Sequence, residues 1–244
     1  MSTESAVRVI EVFPDLLGTY GDRGNSLVLG HRCRRRSQPC ELFGARAGEP
    51  LPADGDIYLL GGGEDAAQTA ATEFLRADGT LAKVIEAGRV VLAVCAGLQI
   101  LGRDFTGGQG AQVPGLGLVD VSSRAADPRA VGELVLDGGE LGELCGFENH
   151  AGRTALGPGV HPLGRVRAGI GNDGAADGFV SGRTLGTYMH GPVLARNPVL
   201  ADRLLEWVVG EVEPLDDPLI DRWRAERIRT RERGRDGVAR RAAE

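Results

Sequence analysis

From Val7 to Phe13 (VRVIEVF) β-branched and polar residues alternate, and this period of two predicts a first strand. A second is predicted over Asp56 to Leu60, closed by Gly61-Gly62-Gly63. Arg89 to Cys95 (RVVLAVC) is continuously apolar after its first residue, as expected of a central strand buried on both faces of a parallel sheet. Between these runs the spacing turns helical. Asn25 to Arg36, Ala66 to Leu75 and Thr80 to Ala87 read as helices, with Leu81, Val84 and Ile85 on one face of the last. Alternating strands and helices imply a parallel sheet with helices on both sides. The second half changes character. Val131 to Leu136, Gly164 to Ala168, Phe179 to Ser181 and Thr184 to Met189 are short strand-like stretches separated by Gly, Asn and Asp, expected to add antiparallel or mixed strands to the same core. Asn197-Pro198 opens an amphipathic helix to about Val209, closed by Gly210. A single domain over residues 1–210 is expected, followed by a charged, partly helical tail over 211–244.

The balance of charge narrows the function. With 28 basic and 34 acidic residues the net charge is −6, which argues against a nucleic-acid binder. No apolar run approaches the ~20 residues that cross a bilayer, and the N-terminus has no basic leader, so the expected location is cytoplasmic. From Asp221 onward nine arginines face five acids. There Trp223, Arg224, Arg227 and Ile228 could form a docking face for a partner, or simply a solvated terminus. Cys33, Cys40, Cys95 and Cys145 show no CxxC pair and no histidine cluster, so neither a metal site nor a disulfide framework is indicated. The sole lysine is Lys83, and no GxxxxGK[ST] pattern occurs, which argues against ATP binding by a P-loop.

The chemistry concentrates in VVLAVCAGLQILG, Val90 to Gly102, where a buried strand runs into a cysteine and then a helix. Such a strand–nucleophile–helix turn needs small neighbours, which Ala93, Ala96 and Gly97 provide, and it aims the thiol at a helix N-terminus that favours thiolate and oxyanion. Alone, the turn leaves open that Cys95 is a small buried hydrophobe. A cysteine nucleophile needs a base. Of the histidines, His31 lies among surface arginines and His161 in a Gly-Pro loop, whereas His190 ends a predicted strand and so falls at the sheet edge where open α/β sheets place their sites. The glycine loop Gly61 to Gly63 follows another strand at that edge and could bring a backbone N–H to an oxyanion, although a glycine triplet is commonly just a turn.

The motifs GTYGDRGN (Gly18 to Asn25), LLGGGEDAAQ (Leu59 to Gln68), VCAGLQILG (Val94 to Gly102), GFENHAGRT (Gly146 to Thr154) and GTYMHGPVLARNP (Gly186 to Pro198) resemble, in order and spacing, the class I glutamine amidotransferases of the cobyric-acid-synthase-like branch, and most closely its GatD-type glutaminase subunits. The resemblance implies an α/β, flavodoxin-like fold: a central, mostly parallel sheet flanked by helices, with added antiparallel strands. It also implies that Cys95 attacks the side-chain amide of L-glutamine and His190 shuttles the proton. By the same resemblance Gly62 and Ala96 form the oxyanion hole, while Gln99 and Arg129 bind substrate. Arg124 competes with Arg129 for that role, and Gln99 could instead make a local hydrogen bond.

No cofactor is implied in this chain. ATP and Mg are expected in a MurT-like, Mur-ligase-family partner that uses the ammonia to amidate lipid II in peptidoglycan synthesis. A corrinoid acceptor, or a non-catalytic binding subunit, are the alternatives. Many class I members carry an acid two residues after the histidine. Here that position is Pro192, so the site is expected to be a Cys-His dyad or to borrow an acid from elsewhere. Asp22 reads as a helix N-cap, and Glu148, Asn149 and His150 as site-lining or turn residues.

Overall fold

A computed structural model of the chain describes residues 5–229. The first half builds the predicted β/α alternation: β1 (Val7–Val12), α1 (Gly24–Arg35), β2 (Cys40–Ala45), β3 (Ile57–Leu60), α2 (Asp65–Asp78), α3 (Thr80–Glu86), β4 (Val90–Val94) and α4 (Ala96–Leu101). The second half adds β5 (Asp104–Thr106), β6 (Gln112–Pro114), β7 (Val121–Asp137), β8 (Glu143–Leu156), β9 (Gly164–Ala168), β10 (Ala176–Asp177), β11 (Phe179–Ser181) and β12 (Thr184–Thr187). Two further helices follow, α5 (Val193–Arg196) and α6 (Pro198–Val209).

Two sheets result. The first has the order β11-β12-β4-β3-β1-β2, parallel throughout except for β11. All five residues of β4 are buried, which explains their unbroken apolar character. The second sheet has the order β10-β9-β7-β5-β6, with β8 paired to β7. Of the second-half stretches, β11 and β12 therefore join the first sheet, whereas the 131–136 and 164–168 runs belong to a separate one. The 131–136 run is only the end of β7, whose long antiparallel ladder with β8 continues past a register shift between Ala125 and Ala130. Leu134, Leu136 and Leu144 of this ladder share one apolar core with β1, β3 and β4, so the sheets fold as one unit.

The chain beyond α6 returns across the surface. Arg32 of α1 is buried between Asp202 and Asp217, with Nε and Nη2 on the Asp202 carboxylate at 2.6 Å and Nη1 on Asp217 at 2.7 Å. Residues 218–229 then form a helix. The side chains named as a possible docking face also make contacts within this chain, with Trp223 and Arg227 still exposed. Trp223 stacks between the Arg196 and Arg227 guanidinium groups, Arg224 donates to the Glu143 carbonyl at 2.5 Å, and Ile228 packs on Val135, Cys145 and Ala168 of the second sheet. Residues 230–244 of the expected tail lie outside the described residues.

Candidate active site

Cys95 sits between β4 and α4 with φ 52° and ψ −103°, a backbone conformation that a non-glycine residue adopts only when its surroundings impose it. Two contacts impose it. The Cys95 N–H donates to the Thr187 carbonyl of neighbouring β12 at 2.9 Å, and the Gly97 N–H to the Gly61 carbonyl at 3.2 Å. A side chain at Gly97 would put its Cβ 2.7 Å from Leu60 Cβ, so glycine lets α4 start directly against the end of β3.

His190 follows β12 and joins the two sheets. Its N–H donates to the Phe147 carbonyl of β8 at 2.8 Å, and its own carbonyl accepts the Phe147 N–H at 3.1 Å. The ring is fully buried. Nδ1 lies 2.9 Å from Asp22 Oδ2. Nε2 has no conventional hydrogen-bond partner among the described residues; the titratable group on that side is Cys95. Burial alone pulls the imidazole pKa down, but the Asp22 hydrogen bond together with the charges of Asp22 and Cys95 outweighs it and pushes it up to about 10. His190 therefore carries its proton through neutral pH.

Asp22 is thus the third member of a Cys-His-Asp constellation, and the sequence reading of it as an N-cap is corrected. Helix α1 begins with Arg23 at the cap and no side-chain cap bond, while Asp22 is buried against His190. Its Oδ2 also accepts the Gly62 N–H at 2.8 Å. That bond corrects a second expectation, because a Gly62 amide committed to a carboxylate is not open to an oxyanion. Glycine is needed at 62 for another reason: a Cβ there would fall 2.6 Å from His190 Cε1. The glycine-loop residue on the cavity wall is Gly63, which lines a cavity of about 150 Å³ together with Cys95 and Ala96.

A family model for the CobB/CobQ-like glutamine amidotransferase domain matches residues 10–198. The chain belongs to this family. It is 36% identical over 196 residues to the Staphylococcus aureus lipid II isoglutaminyl synthase (glutamine-hydrolyzing) subunit GatD, covering 79% of this chain and 80% of that one. Identity to the Streptococcus pneumoniae subunit of the same name is 31%, covering 82% and 79%. A cobyric acid synthase of Methylorubrum populi is 37% identical, but the match covers 59% of this chain and only 30% of that protein. Among solved structures, a glutamine amidotransferase of Thermotoga maritima superposes with a TM-score of 0.52 at 19% identity, over 83% of this chain and 81% of that one. The glutaminase domain of Trypanosoma brucei CTPS with bound acivicin gives 0.50 at 11%, over 86% and 97%. Both structural likenesses speak to the fold.

In this amidotransferase the remaining predicted residues line the same cavity. Arg124 is already paired with Asp104, Nη1 to Oδ1 at 2.6 Å. The partners of Arg129 are neutral, the Asn149 side chain at 2.6 Å from Nε and the Asn149 carbonyl at 3.1 Å from Nη2. Its cationic fork is therefore the one available to an anion. Gln99 is not making a local bond: its Oε1 accepts from Gln68 Nε2 at 2.8 Å, and its Nε2 donates to the Tyr188 hydroxyl at 3.0 Å. That hydroxyl continues to Thr154 at 2.7 Å and thence to Ser123 at 2.8 Å, a buried polar network that fixes the cavity floor.

The GFENHAGRT segment is strand β8, with alternating destinations. Glu148 points inward and accepts the Ile170 and Gly171 N–H groups, both at 2.8 Å. Asn149 and His150 line the cavity, the latter stacked on Tyr188 with ring centroids 3.7 Å apart. Asp22 and Tyr20 both lie against His190, a place that motif reading gave to neither. The signal for Asp22 was present: the loop after β1 ends at the same sheet edge as Cys95 and His190, where an acid has a histidine to meet.

Proposed function

We propose that this chain is the glutamine-hydrolysing subunit of a lipid II isoglutaminyl synthase, acting in the cytoplasm. The observation that carries the reading is the similarity to two GatD subunits across about four fifths of each chain, combined with Cys95 and His190 lining one cavity and Asp22 buried behind the histidine, 2.9 Å from its Nδ1. Arg129 grips the α-carboxylate of L-glutamine, and Gln99 on the cavity floor orients the side-chain amide. With the one proton of the Cys95–His190 pair held on the imidazole, the Cys95 thiolate attacks the amide carbon, and the oxyanion is received by the Ala96 N–H at the start of α4 and the Gly63 N–H of the glycine loop. Protonated His190, held by Asp22, gives its proton to the departing ammonia, leaving a cysteinyl thioester. The now neutral imidazole takes a proton from water, which hydrolyses the thioester to glutamate. Activation of the acceptor falls to a MurT-like, Mur-ligase-family partner using ATP and Mg, which amidates the D-glutamate of lipid II to D-isoglutamine with the ammonia.

The test is glutamate release from glutamine by the full chain, alone and with a MurT-like partner, for wild type, Cys95→Ser and His190→Ala. Loss of release in both variants, with lipid II amidation by the wild-type pair, supports the reading. Wild-type release from Cys95→Ser overturns it, as does glutaminase activity that never yields amidated lipid II.

A further inference from the structure

Asn149 has bonds on both sides that hydrolysis as described does not use. Its Oδ1 and backbone carbonyl take the Nε and Nη2 of Arg129 at 2.6 and 3.1 Å, while its Nδ2 donates to the Tyr20 hydroxyl at 2.6 Å. Tyr20 in turn lies edge-on to His190, ring centroids 5.0 Å apart and planes at 67°, and to Phe147 at 6.4 Å. Its φ of 58° places a bulky residue in the left-handed region, which it occupies only where the surroundings fix it. Two residues further on is Asp22. A continuous line of contacts thus runs from Arg129, along the cavity lining, to the ring that packs on the catalytic histidine and the loop that carries its acid.

We propose that Tyr20, Asn149 and Arg129 form a strap across the glutamine cavity, in which Asn149 is a positioning residue that aims Arg129 at the substrate carboxylate and Tyr20 covers His190; this rests on the glutaminase reading above. Asn149 occupies the Nε–Nη2 edge of the guanidinium, so the Nη1–Nη2 end is the edge presented to an incoming carboxylate in bidentate geometry. Arg129 is otherwise an exposed, rotamer-rich side chain, and ordering it in advance removes an entropic cost that substrate would otherwise meet on binding. The Tyr20 hydroxyl pins the asparagine amide. Carboxylate capture at one end of the strap and burial of the histidine at the other therefore belong to the same arrangement.

The test uses the full-length chain and two electrophiles for Cys95, read by intact mass with Cys95→Ser as blank: 6-diazo-5-oxo-norleucine, which carries the amino acid carboxylate, and iodoacetamide, which does not. Asn149→Ala is expected to slow labelling by the amino acid analogue about tenfold, the loss of hydrogen bonds to a charged group. Tyr20→Phe, which deletes only the hydroxyl, should slow it several-fold, with iodoacetamide labelling changed less than twofold. Tyr20→Ala should accelerate iodoacetamide labelling by opening the histidine. Unchanged ratios of the two electrophiles in Asn149→Ala and Tyr20→Phe would overturn the strap, and so would equal slowing of both, which marks a merely structural role. If wild-type labelling by the analogue is not slowed by added glutamine, the glutaminase reading fails on the wild type alone, and the strap with it.

Discussion

Replacing Asp22 with asparagine isolates the contribution of the triad acid. The change keeps the side-chain volume and leaves an oxygen for the Gly62 N–H, but it removes the charge 2.9 Å from His190 Nδ1. His190 sits at about 10 because Asp22 and Cys95 together overcome the burial that pulls it down. Without Asp22, burial is opposed by Cys95 alone and the imidazole titrates well below 10. The proton needed by departing ammonia is then held less firmly, and the ring is free to adopt the wrong tautomer. By comparison with the Asp-to-Asn change in a serine protease triad, kcat/KM should fall about 10²- to 10⁴-fold, with the larger part in kcat. Linkage gives a second readout. A histidine raised in the folded state stabilises the fold fully below its unfolded pKa of about 6.5, and that stability is lost as pH rises toward 10. From 6.5 to about 10 the limit is on the order of 5 kcal/mol. The wild-type melting temperature should therefore fall between pH 7 and pH 10 more steeply than that of Asp22→Asn. The assays are glutamate release across pH 6–9.5 and calorimetry across pH 6–10. A variant within threefold of wild type at every pH, with a parallel melting curve, would refute the assignment.

Gly62→Ala should retain the fold but lose at least a hundredfold in kcat/KM, because the added Cβ lies 2.6 Å from His190 Cε1; circular dichroism beside the glutaminase assay separates the two, and full activity would show that the ring does not need its place. Asp177 is fully buried, and burial pushes its pKa up to about 7 despite hydrogen bonds from Thr187 and the Tyr188 N–H. An acid raised in the folded state lowers stability as pH rises from about 4 to 7, by up to about 4 kcal/mol, so denaturant titration of Asp177→Asn should show a flatter dependence over that window, and parallel curves would count against it. Truncation after Asp217 removes the Trp223 stack and Ile228 and should cost about 2–4 kcal/mol of folding stability. An unchanged unfolding midpoint would mean that the helix over 218–229 adds nothing to the fold.

Where burial was apolar the sequence was legible, and where it was polar it was not. The continuous run Val90 to Val94 announces the central strand and with it the position of Cys95, while 164–168 and 179–181 agree with β9 and β11 to the residue. Strand β8 went unpredicted, its residues 148–150 read only as site-lining or turn residues, because its inward positions include Gly146, Glu148, His150, Gly152 and Thr154, a face that hydropathy cannot distinguish from a loop. Those residues are satisfied by partners far along the chain, such as the backbone at 170 and 171 for Glu148, which no local pattern predicts. Asp22 was hidden in the same way: its partner lies 168 residues away, whereas a helix cap is visible within four. For Gly62 the residue was found and the reason was not, since its glycine serves an aromatic ring packed against it rather than a ligand.

Proline at 192 explains how the acid came to lie on another loop. A carboxylate two residues after the histidine would approach it from the chain's own continuation. Here that position is filled by a ring that packs on the start of α1, so closely that a Cβ on Gly24 would fall 2.2 Å from Pro192 Cγ. The Leu194 N–H then donates to Asn25 Oδ1 at 3.0 Å, locking the turn after His190 to the first turn of α1. On the other side, the Thr19 N–H binds the Gly62 carbonyl at 3.1 Å, tying the loop to the glycine turn. Asp22 is therefore held at His190 by contacts at both ends of its own loop rather than by proximity in sequence. Pro192 and Gly24 touch no reacting atom in this arrangement, yet they fix the distance between base and acid. Substitutions at either should depress turnover through His190 while leaving the cavity that receives glutamine in place.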